Sequence, residues 1–172
     1  MRHNSLRGES MTQDELLFFS GYGEALPIYA ALRERVLGLW PDVDIRVAKT
    51  QITFKARYGF AFVSTRRMGR RCPDVFIIVS FGLGRKLDSA RIFAASEPYP
   101  GRWTHHVIVA SPAEVDEELV GGIDEARGFA LTKRTVKLEA IGGAGRKMAA
   151  LYVCIYAADA GSRHGTRRGD HL

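Results

Sequence analysis

The sequence predicts an α+β domain: a two-layer sandwich of one helix, about six mainly antiparallel strands, and a C-terminal helix. Three patterns lead there: helical spacing of apolar residues before Trp40, period-two alternation over residues 45–57, and a dense helix-start signal at Ser111. Consecutive strands with short connections pair antiparallel and need helices on one face only.

The first element is a short helical turn, announced by Thr12 and Glu15 at capping-box spacing and ended by Gly21 and Gly23. A full helix follows over 26–40, where Tyr29, Leu32, Val36 and Leu39 recur at steps of 3 and 4. Pro27 suits its first turn, where a missing amide proton costs little, and Pro41 stops it. Ile45, Val47, Ile52, Phe54 and Ala56 then alternate with polar residues, which predicts half-buried strands. Tyr58-Gly59 turns the chain into Phe60–Thr65, whose two faces both carry apolar residues. The run Val75–Phe81 (VFIIVSF) is apolar on both faces, lies between Pro73 and Gly82, and is expected at the centre of the sheet. Strands at 90–96 and 104–110 complete the set. Ser111-Pro112-Ala113-Glu114 combines a capping serine, a proline at the first helical position and the capping-box glutamate. A last helix is expected from there, with Val115, Leu119, Ile123 and Ala126 as its apolar stripe.

At 172 residues, with 46% apolar and 26% charged residues, the chain suits one globular domain rather than two. The expected organisation is a leader over 1–11, a single domain over 12–134 and a Gly/Arg-rich tail over 135–172. Met1–Ser10 lacks the apolar stretch of a secretory signal. The apolar stretch Met148–Ala160 has 13 residues, short of the roughly 20 that a span needs. Cys72 and Cys154 show neither metal nor redox spacing. A cytoplasmic protein with reduced thiols, no membrane partner and no cofactor is therefore expected.

The stretches LPIYAALRERVLGLWPDVDIRVAKTQITFKARYGFAFVS and RWTHHVIVASPAEVDEEL resemble the bacterial family called domain of unknown function 5655. The likeness covers about residues 23–133 and fades after Arg134. It implies a helix, an antiparallel sheet and a terminal helix, in small bacterial proteins or appended to larger ones, and it implies no established activity.

Motifs for catalysis are weak. His105 and His106 are adjacent on a strand and point to opposite faces, so they are poorly placed to share a metal, and no zinc-like set exists. Ser64, Ser80 or Ser96 could meet a histidine only through the fold, since there is no G-x-S-x-G elbow. Cys72 beside Arg70 and Arg71 reads as an ordinary loop cysteine before a reactive one. Gly82-Leu83-Gly84-Arg85-Lys86 and Gly142–Lys147 lack the remaining residues of a phosphate-binding loop.

Charge is the more informative feature. Residues 42–110 carry 12 Lys and Arg against 5 Asp and Glu, whereas 111–131 carry 1 against 6. The acidic segment suits the positive end of a helix dipole. The basic one offers candidates for an anionic partner, nucleic acid or an acidic ligand: Lys49, Lys55, Arg57, Arg66, Arg67, Arg70, Arg71, Arg102 and Trp103. A plain solvated face of a half-covered sheet accounts for the same charges. The alternative is a small enzyme with a pocket near Lys49, Thr50, Arg102, Trp103 and His105. A third reading is a dimerising scaffold with an exposed sheet face.

Overall fold

The computed structural model describes residues 10–132. Residues 1–9 of the expected leader, the tail over 135–172, the apolar stretch Met148–Ala160, and Cys154 lie outside the described residues.

Helix α1 spans Gln13–Phe18 and begins with the expected capping box. The Glu15 amide donates to Thr12 Oγ1 at 3.3 Å, and the Thr12 amide donates to Glu15 Oε2 at 2.8 Å. A 3-10 turn over Gly23–Ala25 leads into α2, Leu26–Leu39, which carries Pro27 in its first turn and hands over to Pro41 through Trp40. Ile28, Tyr29, Leu32 and Val36 form its buried stripe. Leu39 continues the spacing but is 49% exposed, while Val36, Leu37 and Trp40 around it pack in or against the core.

Six strands follow: β1 Asp44–Val47, β2 Ile52–Lys55, β3 Gly59–Ser64, β4 Ile77–Leu83, β5 Ile92–Tyr99 and β6 Arg102–Val109. They form one antiparallel sheet in the order β1-β2-β3-β4-β6-β5. The apolar run of β4 sits inside this sheet as expected, although Gly82 does not end the strand: pairing continues to Leu83 opposite Trp103. Gly101, at φ +69°, makes the tight β5–β6 turn in a conformation that side chains other than glycine's rarely tolerate.

The helices cover one face of the sheet. Tyr29 of α2 lies over Phe54 of β2, with ring centroids 6.3 Å apart, and Leu119, Ile123, Ala126 and Ala130 join the same core from the last helix. That helix, α3, spans Glu117–Leu131. Its approach is close because Gly122 faces Phe81: a Cβ there would sit 2.9 Å from the ring.

The start of α3 corrects the sequence expectation. Pro112–Glu114 forms only a 3-10 turn, and the Ser111 hydroxyl makes no capping bond. The Glu114 carboxylate accepts instead from the Ala110 amide at 2.9 Å, which closes this turn on the strand end. Asp116 is the true cap, accepting from the Leu119 amide at 3.0 Å. Two overlapping start signals stand within six residues, and the second one begins the helix. Val115 is consequently outside α3, yet it packs half-buried against the core with Leu119 and Ile123.

The opposite face is partly covered by the β3–β4 connection, residues 65–76. Met68, Cys72 and Phe76 pack there on Ile78 of β4 and Ile108 of β6, a second and smaller apolar cluster. No helix among the described residues is long and apolar enough to cross a membrane.

Candidate functional site

The β3–β4 connection is held in shape by its own arginines. Arg67 donates from Nη1 to the Cys72 carbonyl at 2.7 Å and from Nη2 to the Pro73 carbonyl at 2.8 Å. Its guanidinium lies 5.6 Å from the centre of the Phe76 ring, while that of Arg71 lies 5.2 Å from the centre of Phe93 on β5. The planar fork of arginine suits this double duty, stacking on an aromatic face while bonding to carbonyls. Arg66 and Arg70 are exposed and have no carboxylate partner among the described residues. Two of the four arginines thus build the loop, and two are left to the solvent.

Strand register decides which other candidates join them. Ile52 pairs with Val63, so the β1–β2 turn that carries Lys49 and Thr50 lies beside the start of this loop. Lys49 and Thr50 are both exposed. Lys49, Arg66, Arg70 and Arg71 therefore share one end of the sheet. Lys55 and Arg57 lie at the other end of β2, and Arg102 and Trp103 begin β6 at that same far end.

The structure consequently does not assemble the pocket expected from Lys49, Thr50, Arg102, Trp103 and His105. Lys49 and Thr50 precede β2, Arg102 and Trp103 open β6, and these two strands start from opposite ends of the sheet, so the length of the strands separates the two groups. Trp103 pairs with buried Leu83, is half-buried, and lies beneath Lys86, whose Nζ is 5.6 Å from the ring centre. His105 is wholly buried and stacked on Phe81 at 5.6 Å.

The histidine pair does diverge to opposite faces, as strand geometry requires. On the helix-bearing face, His105 Nε2 accepts from the Leu87 amide at 2.8 Å, so the ring proton belongs on Nδ1. Burial holds its pKa below the ordinary histidine value. On the other face, His106 Nδ1 and Ser80 Oγ are 2.7 Å apart, directly across β4 and β6. Burial, with His105 nearby, lowers the His106 pKa to about 4. Of the three serines considered in the sequence, Ser80 is the one that meets a histidine in this way. The arrangement is a neutral pair held rigidly between two interior strands.

One polar cluster escapes the sequence. Glu15 is wholly buried and accepts from the Tyr29 hydroxyl, from Arg33 Nε at 2.9 Å, and from both the amide and hydroxyl of Thr12. Burial would raise its carboxyl, but the bonds from Tyr29 and Thr12 and the charge of Arg33 outweigh that and lower it. Burial and the adjacent carboxylate push the Tyr29 hydroxyl upward. Capping-box spacing signals the Thr12 bond, but only the packing of α1 on α2 reveals the other two. With its lone pairs already engaged, the carboxylate pins two helices and offers nothing to a substrate.

An open cleft of about 590 Å³ lies between the start of the β4–β5 connection and α3, lined by Gly84, Arg85, Glu125, Arg127 and Phe129 among others. Its guanidinium groups are engaged: Arg85 is bidentate on Glu125, and Arg127 bonds to both carboxylate oxygens of Asp42. Gly84 and Arg85 belong to the Gly82–Lys86 turn weighed in the sequence, whereas none of the basic or pocket candidates lines the cleft. No group of three or more His, Cys, Asp or Glu among the described residues could hold a metal, and Cys72 is a free, buried thiol.

The family described as Domain of unknown function (DUF5655) matches residues 18–130. The match takes in α2, the whole sheet and nearly all of α3, and the chain belongs to this family. No curated protein and no solved structure matches it.

Proposed function

We propose that this DUF5655 member is a non-enzymatic interaction module whose basic rim, Lys49 with Arg66, Arg70 and Arg71, engages a nucleic acid. The observation that carries the reading is the division of labour in the β3–β4 connection. Arg67 fixes the loop through two backbone carbonyls, which leaves Arg66 and Arg70 presented on a backbone that is already ordered. A pre-ordered cation loses less entropy on binding than one on a free chain. The rim spans two connections and lies away from the cleft, which suits a partner with repeated charge over one small anion. The enzymatic alternative has less behind it, since its residues lie at opposite ends of the sheet.

Titration of single- and double-stranded DNA and RNA against salt tests this. Binding at low salt should weaken with a linear log-log slope, and Arg66→Gln with Arg70→Gln should flatten that slope by about 0.7 to 0.9 for each phosphate no longer neutralised. The pair Arg57→Gln and Arg102→Gln, at the other end of the sheet, should leave it unchanged. Absence of binding to all four nucleic acids at low salt overturns the proposal.

A further inference from the structure

The two edges of the sheet are built differently. At the β5 edge, register shifts fall between Ile92 and Ala94 and between Ser96 and Tyr99, and Pro98 removes an amide donor. Bulges and proline are the ordinary means of keeping an edge from pairing with another strand. The β1 edge has none of these: Asp44–Val47 pairs with β2 in four regular steps and contains no proline.

The direction of the free backbone groups follows from the hairpin. The Ala48 amide donates to the Gln51 carbonyl at 2.9 Å, which makes that a hydrogen-bonded pair. Antiparallel ladders alternate, so Arg46 and Asp44 also bond to β2, while Ile45 and Val47 turn their N–H and C=O groups to an edge that no other strand among the described residues pairs. Asp44 and Arg46 are exposed and have no ion pair among the described residues.

We propose that β1 pairs with β1 of a second copy of this chain, antiparallel and about a twofold axis through Ile45. That register sets Ile45 against Ile45 of the second copy as a hydrogen-bonded pair. It places Asp44 opposite Arg46 of the second copy and Arg46 opposite its Asp44, so that opposite charges meet twice across the join. Val43 meets Val47 on the helix-bearing face. Neighbouring registers fail on charge: an axis through Asp44 opposes two aspartates, and one through Arg46 opposes two arginines. An axis through Val47 leaves both charges without a complement, and one through Val43 would centre on an amide already given to the Trp40 carbonyl; in the register through Ile45 that amide is also absent from the ladder, so Val43 meets Val47 there through its side chain and carbonyl. The sequence Asp-Ile-Arg is thus self-complementary in a single symmetric register, as an isologous join requires. Helix α1 contacts β1 and leaves Leu16 42% and Leu17 58% exposed.

Sedimentation equilibrium of the full chain should give twice the monomer mass at tens of micromolar. Asp44→Arg and Arg46→Asp should each be monomeric, since each sets like charges across the join, with melting temperature measured to show that both fold. Mixed in equal amounts, the two variants should form a heterodimer: the first brings two guanidinium groups to the join and the second two carboxylates, so both facing pairs are again of opposite sign. A monomeric native chain at every concentration overturns the proposal irrespective of how the variants behave. So does a dimer that survives in either variant, or a mixture of folded variants that stays monomeric.

Discussion

The helix-bearing face of the sheet and the face beneath the β3–β4 connection are made by the same strands, yet they are closed by different means. On the first, α2 and α3 bury Ile52, Phe54, Val79, Phe81 and Val109 completely or nearly so, and Gly122 lets α3 settle onto Phe81. On the second, a single connection places Met68, Cys72 and Phe76 over Ile78 and Ile108, and beside them lies the polar pair Ser80 and His106. A helix satisfies its own backbone and can cover a sheet with apolar side chains alone. A connection without that ladder must commit side chains to its backbone, as Arg67 does with the Cys72 and Pro73 carbonyls. The cations that hold this second cover are therefore drawn from the same cluster that gives the protein its basic rim.

Core truncation should separate the two faces by the largest margin. Phe81→Ala removes a ring at 1% exposure between His105 and α3, and should cost about 3 to 5 kcal/mol in chemical denaturation. Phe76→Ala removes a ring of the same size from the connection itself, where the chain can settle into the gap, and should cost no more than the low end of that range, about 3 kcal/mol. Its greater effect should be on binding, since it loosens the backbone that presents Arg66 and Arg70. Equal losses from both variants would show that the two faces are closed to the same degree.

The adjacent histidines offer a second contrast, read through pH. Both are held below the ordinary histidine pKa, so the native state favours the neutral rings. The stability they contribute is complete above the ordinary value of about 6.5 and is lost as pH falls, because the unfolded chain takes up protons first. For His106 the window runs from about 6.5 down to about 4, a loss of about 3 kcal/mol. His106→Gln should flatten this dependence in denaturation curves between about pH 7 and 4, leaving the share due to His105. An unchanged pH profile in that variant would place the titrating group elsewhere.

These features were not equally legible in the amino-acid order. Period-two alternation identified β1 and β2, a turn followed by apolar residues on both faces identified β3, and the two-sided apolar run of β4 correctly implied an interior strand, because burial writes itself locally into such patterns. The opposite directions of His105 and His106 followed from strand geometry alone. Ser80 meeting His106 did not, since that pair depends on the register of β4 with β6, which no local pattern states. The same is true of the basic candidates. Lys49 and Lys55 are close in sequence but fall at opposite ends of β2, whereas Lys49 and Arg66 are distant in sequence and share one end. Glu15 was recognisable as a capping residue, but its burial against Tyr29 and Arg33 required the packing of two helices.

The smallest expected effect concerns the cover of the helix-bearing face, at the point where α3 begins. Asp116 accepts from the Leu119 amide, which with the Arg91 charge beside it holds its carboxyl below the usual value. Removing it in Asp116→Ala should cost about 1 kcal/mol, since an unsatisfied first-turn amide is returned to the solvent and the dipole loses its counter-charge. The ion pair to Arg91 adds little, because the Asp116 side chain is 46% exposed. Ser111→Ala should leave stability within a few tenths of a kcal/mol, as its hydroxyl caps nothing. Thermal melts of the two single variants and their double therefore discriminate between the overlapping start signals. A larger loss in Ser111→Ala than in Asp116→Ala would move the helix start back to residue 111, and with it the turn that aims Leu119 and Ile123 at the sheet.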